Sequence, residues 1–173
     1  HKNVVRLFTA TNEWFKFDEK DVWTLFHSYA FDFSVWEIWG ALLYGGKLVI
    51  VPQLTSRLPQ EFYQLLIEEK VTVLNQTPSA FYQLIKVEET LNEPLQELNL
   101  RTVVFGGEAL DLAQLRPWYK KHSETEPQLV NMYGITETTV HVTYHPITLA
   151  DVEKNYGSVI GVAIPDLNVY ILD

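Results

Sequence analysis

The 173-residue sequence contains no cysteine, and only 13 of its residues are lysine or arginine. The absence of cysteine excludes disulfide bonds and thiolate metal sites, and it is compatible with the reducing cytoplasm in which we expect the protein to act. A net charge of −9, without a basic cluster, argues against a partner that is nucleic acid. No apolar run approaches the roughly 20 residues that a membrane span requires, so we expect no membrane partner.

Apolar and aromatic residues are plentiful. Hydrophobic residues make up 47% of the chain, with nine Tyr, nine Phe and five Trp. This composition predicts a globular protein with a core large enough for one domain. The chain begins at His1 without a signal-like segment and stops at Asp173, directly after an apolar run. We therefore expect residues 1–173 to be one partial domain, truncated at both ends.

Strand and helix patterns alternate along the chain. Ser34 and Glu37 have the spacing of a capping box, which predicts that Ser34 is the N-cap of a helix ending near Gly45. Apolar spacing predicts further helices over residues 59–69, from Pro78 onwards, and over residues 111–121. The predicted strands cover residues 21–27, 47–51, 71–74, 100–105, 129–132, 140–144 and 168–172. This alternation predicts an α/β fold with a mostly parallel sheet flanked by helices.

Four predicted junctions carry polar side chains at strand ends or before a helix, and two of them also contain glycine. Ligands of parallel sheets bind beyond the carboxyl ends of the strands, so these junctions should form one site. They cover residues 31–34, 75–78, 105–108 and 131–139.

The residue types of the last junction suit the binding of a phosphate group and its metal ion. The hydroxyls of Thr136 and Thr138 suit phosphate oxygens, and the carboxylate of Glu137 suits Mg²⁺. An equally weighted interpretation makes Thr136 a helix cap and Glu137 a favourable charge at a helix N-terminus. Tyr133 has the flat face that a base needs, although a core position is the preferred interpretation of this residue taken alone.

The other junctions leave alternatives open. Gly106 and Gly107 permit close approach of a ligand or form a plain tight turn. Asp32 lies among aromatic residues, where a carboxylate benefits from a cationic partner such as a ligand ammonium group, but exposure at a helix start is the preferred local interpretation. His141 fits a surface position on a strand. A zinc site is not expected, because there is no cysteine and the histidines are scattered.

Two of these segments resemble core motifs of the adenylation domains of nonribosomal peptide synthetases. Residues 31–37 (FDFSVWE) are similar to the fourth motif and residues 131–137 (NMYGITE) to the fifth, with Gly106-Gly107-Glu108-Ala109 correctly spaced between them. The resemblance covers essentially the whole chain. The departure is Ile135, where the family usually has proline. The implied fold is part of the large N-terminal core of an adenylate-forming enzyme.

The resemblance implies that the parent enzyme joins an amino acid to ATP and then loads the phosphopantetheine thiol of a carrier protein beside neighbouring synthetase domains. Catalysis would then rest mainly on positioning and charge stabilisation. Glu137 would hold Mg²⁺ and Thr136 would contact the α-phosphate, which makes these two the implied catalytic residues. The implied nucleotide-binding residues are Gly107, Glu108, Ala109, Asn131, Met132, Tyr133, Gly134 and Thr136.

The family also has positions that correlate with the amino acid selected, with Asp32 holding the α-ammonium group. By motif they fall at Asp32, Phe33, Trp36, Asn75, Val104, Gly106, Met132, Val140 and His141. The string D-F-W-N-V-G-M-V-H is similar to the family's threonine pattern. Asn75 and His141 suit a side-chain hydroxyl, and a site that bonds a hydroxyl rejects analogues without it. Serine is the alternative substrate.

The family's phosphate loop would precede His1, and its ribose-binding Asp and catalytic Lys would follow Asp173. We therefore expect the isolated 173 residues to be inactive. Two other functions are compatible with part of this pattern. An acyl- or aryl-CoA ligase shares the fifth motif but has little use for Asp32, and a non-catalytic binding domain could retain the fold.

Overall fold

A seven-stranded sheet organises the protein in a computed structural model that describes residues 1–91 and 98–172. Its strands are β1 (Val22–Leu25), β2 (Lys47–Ile50), β3 (Val73–Gln76), β4 (Thr102–Phe105), β5 (Gln128–Asn131), β6 (Thr143–Pro146) and β7 (Val162–Ala163). The helices are α1 (Lys2–Phe15), α2 (Phe33–Leu43), α3 (Pro59–Glu68), α4 (Pro78–Thr90), α5 (Arg116–Tyr119) and α6 (Leu149–Lys154). None of these helices, within the residues described, has the length and apolar character needed to cross a bilayer.

The strand order β2-β1-β3-β4-β5-β6-β7 places the predicted junctions along one edge. Strands β1 to β5 pair in parallel, whereas β6 and β7 join in antiparallel orientation. The parallel strands therefore end at a common edge, and the antiparallel return through β6 begins directly after it. The prediction of an α/β fold with a mostly parallel sheet flanked by helices is confirmed.

Hydrophobic cores cover both faces of the sheet, as parallel strands require. Successive residues of a strand point to opposite faces, so Val73 and Val104 pack in the core with α1 and α2. Leu74 and Val103 pack in the other core, with α3 and α4. The central strands are buried along their whole length and present a solvent-excluded framework to the site.

A polar network closes the amino-terminal edge of the sheet. The buried carboxylate of Asp21 accepts hydrogen bonds from Nε and Nη2 of Arg101 at 2.7 and 2.6 Å, and from the hydroxyl of Thr72 at 2.8 Å. Nη1 of Arg101 donates to the carbonyl of Phe15 at 2.9 Å. These bonds hold the pKa of Asp21 below its usual value, against the opposing effect of burial. The network joins the starts of β1, β3 and β4 to the end of α1.

The predicted capping box of α2 is wrong. The helix begins at Phe33, and Asp32 occupies the N-cap position without a side-chain capping bond. Ser34 lies inside the helix, so its side chain cannot cap it. Glu37 points instead into the protein, where it accepts the backbone N–H groups of Phe26 and His27. Glu37 thus has the spacing of a capping-box residue, but it makes a buried contact that this spacing does not predict.

Other element boundaries also differ from the predictions. The predicted strand over residues 140–144 begins only at Thr143, because Thr139 and Val140 have positive φ angles of 69° and 64°. The predicted helix over residues 111–121 is a 3₁₀ turn at Leu112–Leu115 followed by the short α5. No strand forms over residues 168–172, whose side chains from Val169 onwards are exposed and have no strand to pair with in the described part of the chain. The strand predicted at residues 71–74 is displaced to β3.

Candidate functional site

Three of the four predicted junctions, over residues 31–34, 105–108 and 131–139, line a cavity at the carboxyl-terminal edge of the sheet. The cavity has a volume of about 30 Å³, which holds roughly one or two water molecules. An amino acid therefore requires its walls to move apart. The lining residues are Phe31, Asp32, Phe33, Gly106, Gly107, Met132, Gly134, Val140 and His141.

Asp32 and Thr136 connect two of the junctions directly. The hydroxyl of Thr136 donates a hydrogen bond to Oδ2 of Asp32 at 3.0 Å. Thr136 is therefore not the helix cap that one interpretation proposed. Asp32 is half-buried, with one carboxylate oxygen bonded to this hydroxyl. A carboxylate accepts more than one bond, so Asp32 retains capacity for a cationic group of a ligand.

Asn75, from the junction over residues 75–78, does not line the cavity but lies behind it, where Trp36 connects it to His141. Its Oδ1 accepts the indole N–H of Trp36 at 3.0 Å. Both side chains are fully buried. Nδ2 of Asn75 has no hydrogen-bond partner among the residues described. An unpaired buried donor is unfavourable by about 1–3 kcal/mol, so this amide is suited to a ligand acceptor.

His141 is buried, and the prediction that it is a surface strand residue is wrong. Only 2% of it is exposed, and its ring contacts Phe33 and Trp36 edge-on at centroid distances of 5.4 and 5.0 Å. Burial lowers the pKa of His141 to about 3, so the ring is neutral near pH 7. Neither ring nitrogen has a partner in the described residues. A neutral imidazole offers one donor and one acceptor, which is the complement of a hydroxyl group.

The two glycines after β4 lie against aromatic side chains, and Gly107 is the one that tolerates no side chain. A Cβ on Gly106 would lie 3.4 Å from the ring of Phe33 and 3.5 Å from Cε1 of His141. Gly107 has a φ of 81°, and a Cβ there would lie 2.9 Å from the ring of Phe31. These neighbours are the protein's own side chains, so close approach of a ligand at this turn stays a prediction beside that of a plain tight turn.

The remaining predicted pocket residues are buried around this wall. They are Phe33, Val104, Met132 and Val140, each less than a tenth exposed.

Most of the predicted nucleotide residues are exposed, whereas Asn131 and Met132 are buried. Tyr133 is 50% exposed, so its interpretation as a core residue is wrong and its ring face is accessible. Nδ2 of Asn131 donates to the carbonyl of Val159 at 2.8 Å, which directs the amide and leaves its carbonyl oxygen as the acceptor type that an adenine amine needs. Gly134 packs so closely against the carbonyl of Val140 that a Cβ would overlap it.

Glu108 has a local structural contact as well as its predicted position. Its carboxylate accepts the backbone N–H and the hydroxyl of Ser79 at 3.1 and 2.9 Å, at the start of α4. The bonds fix Glu108 beside the exposed turn that contains Gly107 and Ala109.

Glu137 stands in a short 3₁₀ turn, Thr136–Thr138. The hydroxyl of Thr138 bonds to the backbone N–H and carbonyl of Ile135 at 3.1 and 2.8 Å, so the hydroxyl that stabilises the turn is that of Thr138. Glu137 lines an open cleft of about 370 Å³ that also contains Arg6. The described residues contain no cluster of three metal-ligating side chains. A site for Mg²⁺ commonly has one or two carboxylates and completes its ligands with substrate phosphates, so a single Glu137 fits that ion.

Sequence reasoning missed three residues of this region. Phe31 was within a recognised motif but was not assigned to the pocket. Arg6 lies in α1, a helix that was not predicted, and so had no signal connecting it to the cleft beside Glu137. His27 lies behind the cavity wall, stacked on Phe33 at 4.7 Å.

Comparison with known proteins gives a consistent set of relatives. The family model described as AMP-binding enzyme matches residues 1–173. The chain is 60% identical to a dimodular nonribosomal peptide synthase of Bacillus subtilis and 58% identical to malpinin synthetase of Mortierella alpina, each over 100% of this chain. It spans only 7% and 2% of the lengths of those two proteins.

Solved structures share the fold. The nonribosomal peptide synthetase FmoA3 with α-methyl-L-serine-AMP bound matches with a TM-score of 0.89 and 25% identity, over 100% of this chain and 19% of that chain. The Vibrio cholerae adenylation domain AlmE in complex with glycyl-adenosine-5'-phosphate matches with a TM-score of 0.77 and 28% identity. That match covers 94% of this chain and 29% of that chain.

Proposed function

The chain belongs to the AMP-binding enzyme family, as part of an adenylation domain of the nonribosomal peptide synthetase type, and from this premise we propose that its parent protein activates threonine. The reaction joins the amino acid carboxylate to the α-phosphate of ATP and releases pyrophosphate. The relatives are peptide synthetases, so the alternative of an acyl- or aryl-CoA ligase is not favoured.

One observation carries the choice of threonine. His141 lines the cavity, and Asn75 is buried behind it, bonded to Trp36, whose ring contacts His141. Together they keep three nitrogen atoms without partners in the described residues. A threonine hydroxyl supplies a donor and an acceptor to such groups, whereas valine, which has a methyl group in its place, would leave them unpaired. Phe33 and Met132 line the cavity and would form an apolar wall for the substrate methyl group, with Trp36 packed behind His141.

The remaining roles follow from position and charge. Asp32 would offer a carboxylate to the α-ammonium group at one side of the cavity. The hydroxyl of Thr136 bonds to Asp32 at 3.0 Å, which supports a role for Thr136 beside the substrate carboxylate. Thr136 is then positioned between the amino acid and the α-phosphate, where it orients the reacting groups. Tyr133 and Asn131 serve the adenine, with Gly107, Glu108 and Ala109 forming the opposite wall.

Glu137 is the residue that would hold Mg²⁺. When bound, this ion neutralises phosphate charge in the transition state. Arg6 lies in the same cleft, but its guanidinium is paired with Asp166 at 2.7 Å.

We also propose that the parent protein transfers the aminoacyl group to the phosphopantetheine thiol of a carrier protein, next to further synthetase domains. A solved relative contains adenylation and carrier domains in one protein. The chain would be an internal piece of the adenylation core, and the proposed location is the cytoplasm, where ATP and free amino acids are available. The isolated 173 residues are expected to be inactive.

Amino-acid-dependent exchange of labelled pyrophosphate into ATP, measured on the full-length protein that contains this chain, tests the proposal. Threonine should give the highest kcat/KM, serine a lower one, and valine should be weaker by more than about 10²-fold. Valine is the matched control because it replaces only the hydroxyl by a methyl group. A preference for valine or phenylalanine would overturn the assignment of threonine.

A further inference from the structure

His27 and Glu37 form a buried pair directly behind the cavity wall. Nδ1 of His27 lies 3.0 Å from Oε1 of Glu37, and the two side chains are 7% and 0% exposed. The carboxylate also accepts the backbone N–H groups of Phe26 and His27 at 3.3 and 3.1 Å. Glu37 therefore holds both the backbone and the ring of His27 at the end of β1. The proposed reaction gives neither residue a role.

The ring of His27 supports the two aromatic residues on either side of Asp32. It stacks on Phe33 with a centroid distance of 4.7 Å and an interplanar angle of 23°. It also meets Phe31 edge-on at 5.4 Å. One imidazole, fixed by one carboxylate, thus contacts both aromatic residues of the segment that carries the proposed ammonium anchor.

These aromatic residues determine how much space the cavity has. Phe33 contacts His141 and would be in van der Waals contact with a Cβ on Gly106, whereas Phe31 lies so close to Gly107 that a Cβ there would overlap it. Because the cavity is only about 30 Å³, a small movement of either ring changes its volume by a large fraction.

We infer that His27 is a positioning residue that sets the width of the amino-acid cavity by holding the rings of Phe31 and Phe33, and that Glu37 fixes His27 for this purpose. The inference rests on the proposed function, since the width selects a substrate only if an amino acid occupies the cavity. A hydrogen bond to one ring nitrogen fixes the tautomer and the plane of an imidazole, which a plain aromatic residue would lack.

The chain offers a matched pair elsewhere. Nε2 of His122 lies 2.9 Å from Oε1 of Glu88, and its ring stacks on Trp118 at 3.7 Å. Trp118 belongs to the core on the other face of the sheet, away from the cavity. The pairs of His27 and His122 therefore share their chemistry and differ in whether the aromatic ring that they support lines the cavity.

The test compares His27→Ala, His27→Phe and His122→Ala in the full-length protein. The readouts are KM for the preferred amino acid, KM for ATP, and the ratio of kcat/KM between that amino acid and its analogue with one more methylene. His27→Ala should raise the amino acid KM and lower the ratio by about tenfold each, because the rings can retreat. KM for ATP should stay within about twofold.

The conservative variant separates positioning from bulk stability. His27→Phe keeps the stacked ring but loses the bond to Glu37, so it should recover part of the ratio, with a remaining loss of about threefold. His122→Ala should lower thermal stability and leave the ratio unchanged. If His27→Ala does not fold, the same ratio of kcat/KM between the two amino acids is measured for His27→Phe instead.

Hydrogen exchange of residues 28–34 provides a readout that does not depend on activity. His27→Ala and His27→Phe should speed exchange in this segment and His122→Ala should not. Unchanged exchange and an unchanged ratio in a folded His27 variant would overturn the inference, as would equal rises in the KM values of ATP and amino acid. A wild-type protein without amino-acid-dependent exchange of pyrophosphate would instead overturn the proposed function, while the hydrogen exchange still decides the positioning role.

Discussion

The polar side chains at the two ends of the central strands differ in whether they have hydrogen-bond partners. At the amino-terminal end, the carboxylate of Asp21 bonds to Thr72 and Arg101, so that each finds partners within the protein. At the carboxyl-terminal end, Asn75 and His141 are equally buried but retain nitrogen atoms without partners in the described residues. The same sheet therefore carries a satisfied network that supports folding and an unsatisfied one that is complementary to a ligand.

This difference gives a physical criterion for a site. A buried polar atom without a partner is unfavourable by about 1–3 kcal/mol. Such atoms also occur in the core, at Trp23 and Trp118, so the criterion is their grouping around a cavity. At the carboxyl-terminal end the proposed substrate would compensate for them. Substitutions at the two ends should therefore have different effects. Those at the amino-terminal end should lower the stability of the protein, and those at the carboxyl-terminal end should lower its selectivity for the amino acid.

The largest effect is expected for Asp32→Ala. Removing the carboxylate leaves the substrate ammonium group without its ionic partner, so kcat/KM for the amino acid should fall by about 10³-fold. Binding of ATP should largely persist, because the proposed adenine and Mg²⁺ contacts belong to Tyr133, Asn131 and Glu137. Steady-state pyrophosphate exchange, with KM determined for both substrates, checks this.

Asp21→Ala is the counterpart at the other end. Arg101 and Thr72 would lose their shared acceptor, and the free energy of unfolding should fall by about 3 kcal/mol, as measured by urea denaturation. The amino acid KM should be unchanged. If Asp21→Ala altered selectivity, or if Asp32→Ala lost only stability, the contrast between the two ends would be incorrect.

A smaller effect concerns acid stability. Folding lowers the pKa of His141 from 6.5 to about 3, so the unfolded chain binds a proton that the native protein does not bind between these values. His141 therefore destabilises the native state increasingly as pH falls below 6.5, by about 2 kcal/mol at pH 4.5. His141→Gln removes the titration, and its stability relative to the wild type should improve by that amount between pH 6.5 and 4.5.

Urea denaturation of both proteins at each pH measures this difference. Asp21, Glu88 and Asp151 also have lowered pKa values, and their stabilisation is lost as pH falls through the acid range. They are common to both proteins and cancel in the comparison. Parallel stability curves for the wild type and His141→Gln would show that the ring is not buried as a neutral group.

The smallest effect is expected for Gly106→Ala. The added methyl group would contact Phe33 and His141 at 3.4 and 3.5 Å, so the cavity should narrow and the selectivity should shift from threonine towards serine by about tenfold. Gly40→Ala is the control, because its methyl group would overlap Trp23 in the core. That variant should lose stability, measured as a fall in Tm, without a shift in selectivity, whereas a selectivity shift in both variants would contradict the distinction.

The fold was predictable where one strand or helix pattern dominates. The alternation of apolar runs and the glycines after them located β1 to β5 and the helices α2 to α4. The pattern failed where tertiary contacts decide the local structure. Glu37 has capping-box spacing, yet a buried bond to His27 directs it inwards, and positive φ angles at Thr139 and Val140 delay β6.

The site was predictable as a set of junctions but not as a set of contacts. Parallel strands bring their carboxyl ends together, so the grouping of Asp32, Asn75 and Gly106 followed from topology. The burial of His141 did not, because an alternating run fits a surface strand as well as a pocket wall. The support by His27 was also hidden, since nothing in the spacing of residues 27 and 33 indicates that their rings stack.

The close contact of Gly134 with Val140 has a consequence for how selectivity can be altered. The carbonyl of Tyr133 also accepts the N–H groups of Val142 and Thr143 at 2.7 and 3.1 Å. The backbone beneath the proposed adenine-binding face and the segment next to His141 are thus one folded unit. To transfer an amino acid preference from a relative, residues 128–146 should be exchanged together. Exchanging only the residues before or after Gly134 would combine backbone segments that do not pack against each other as these do.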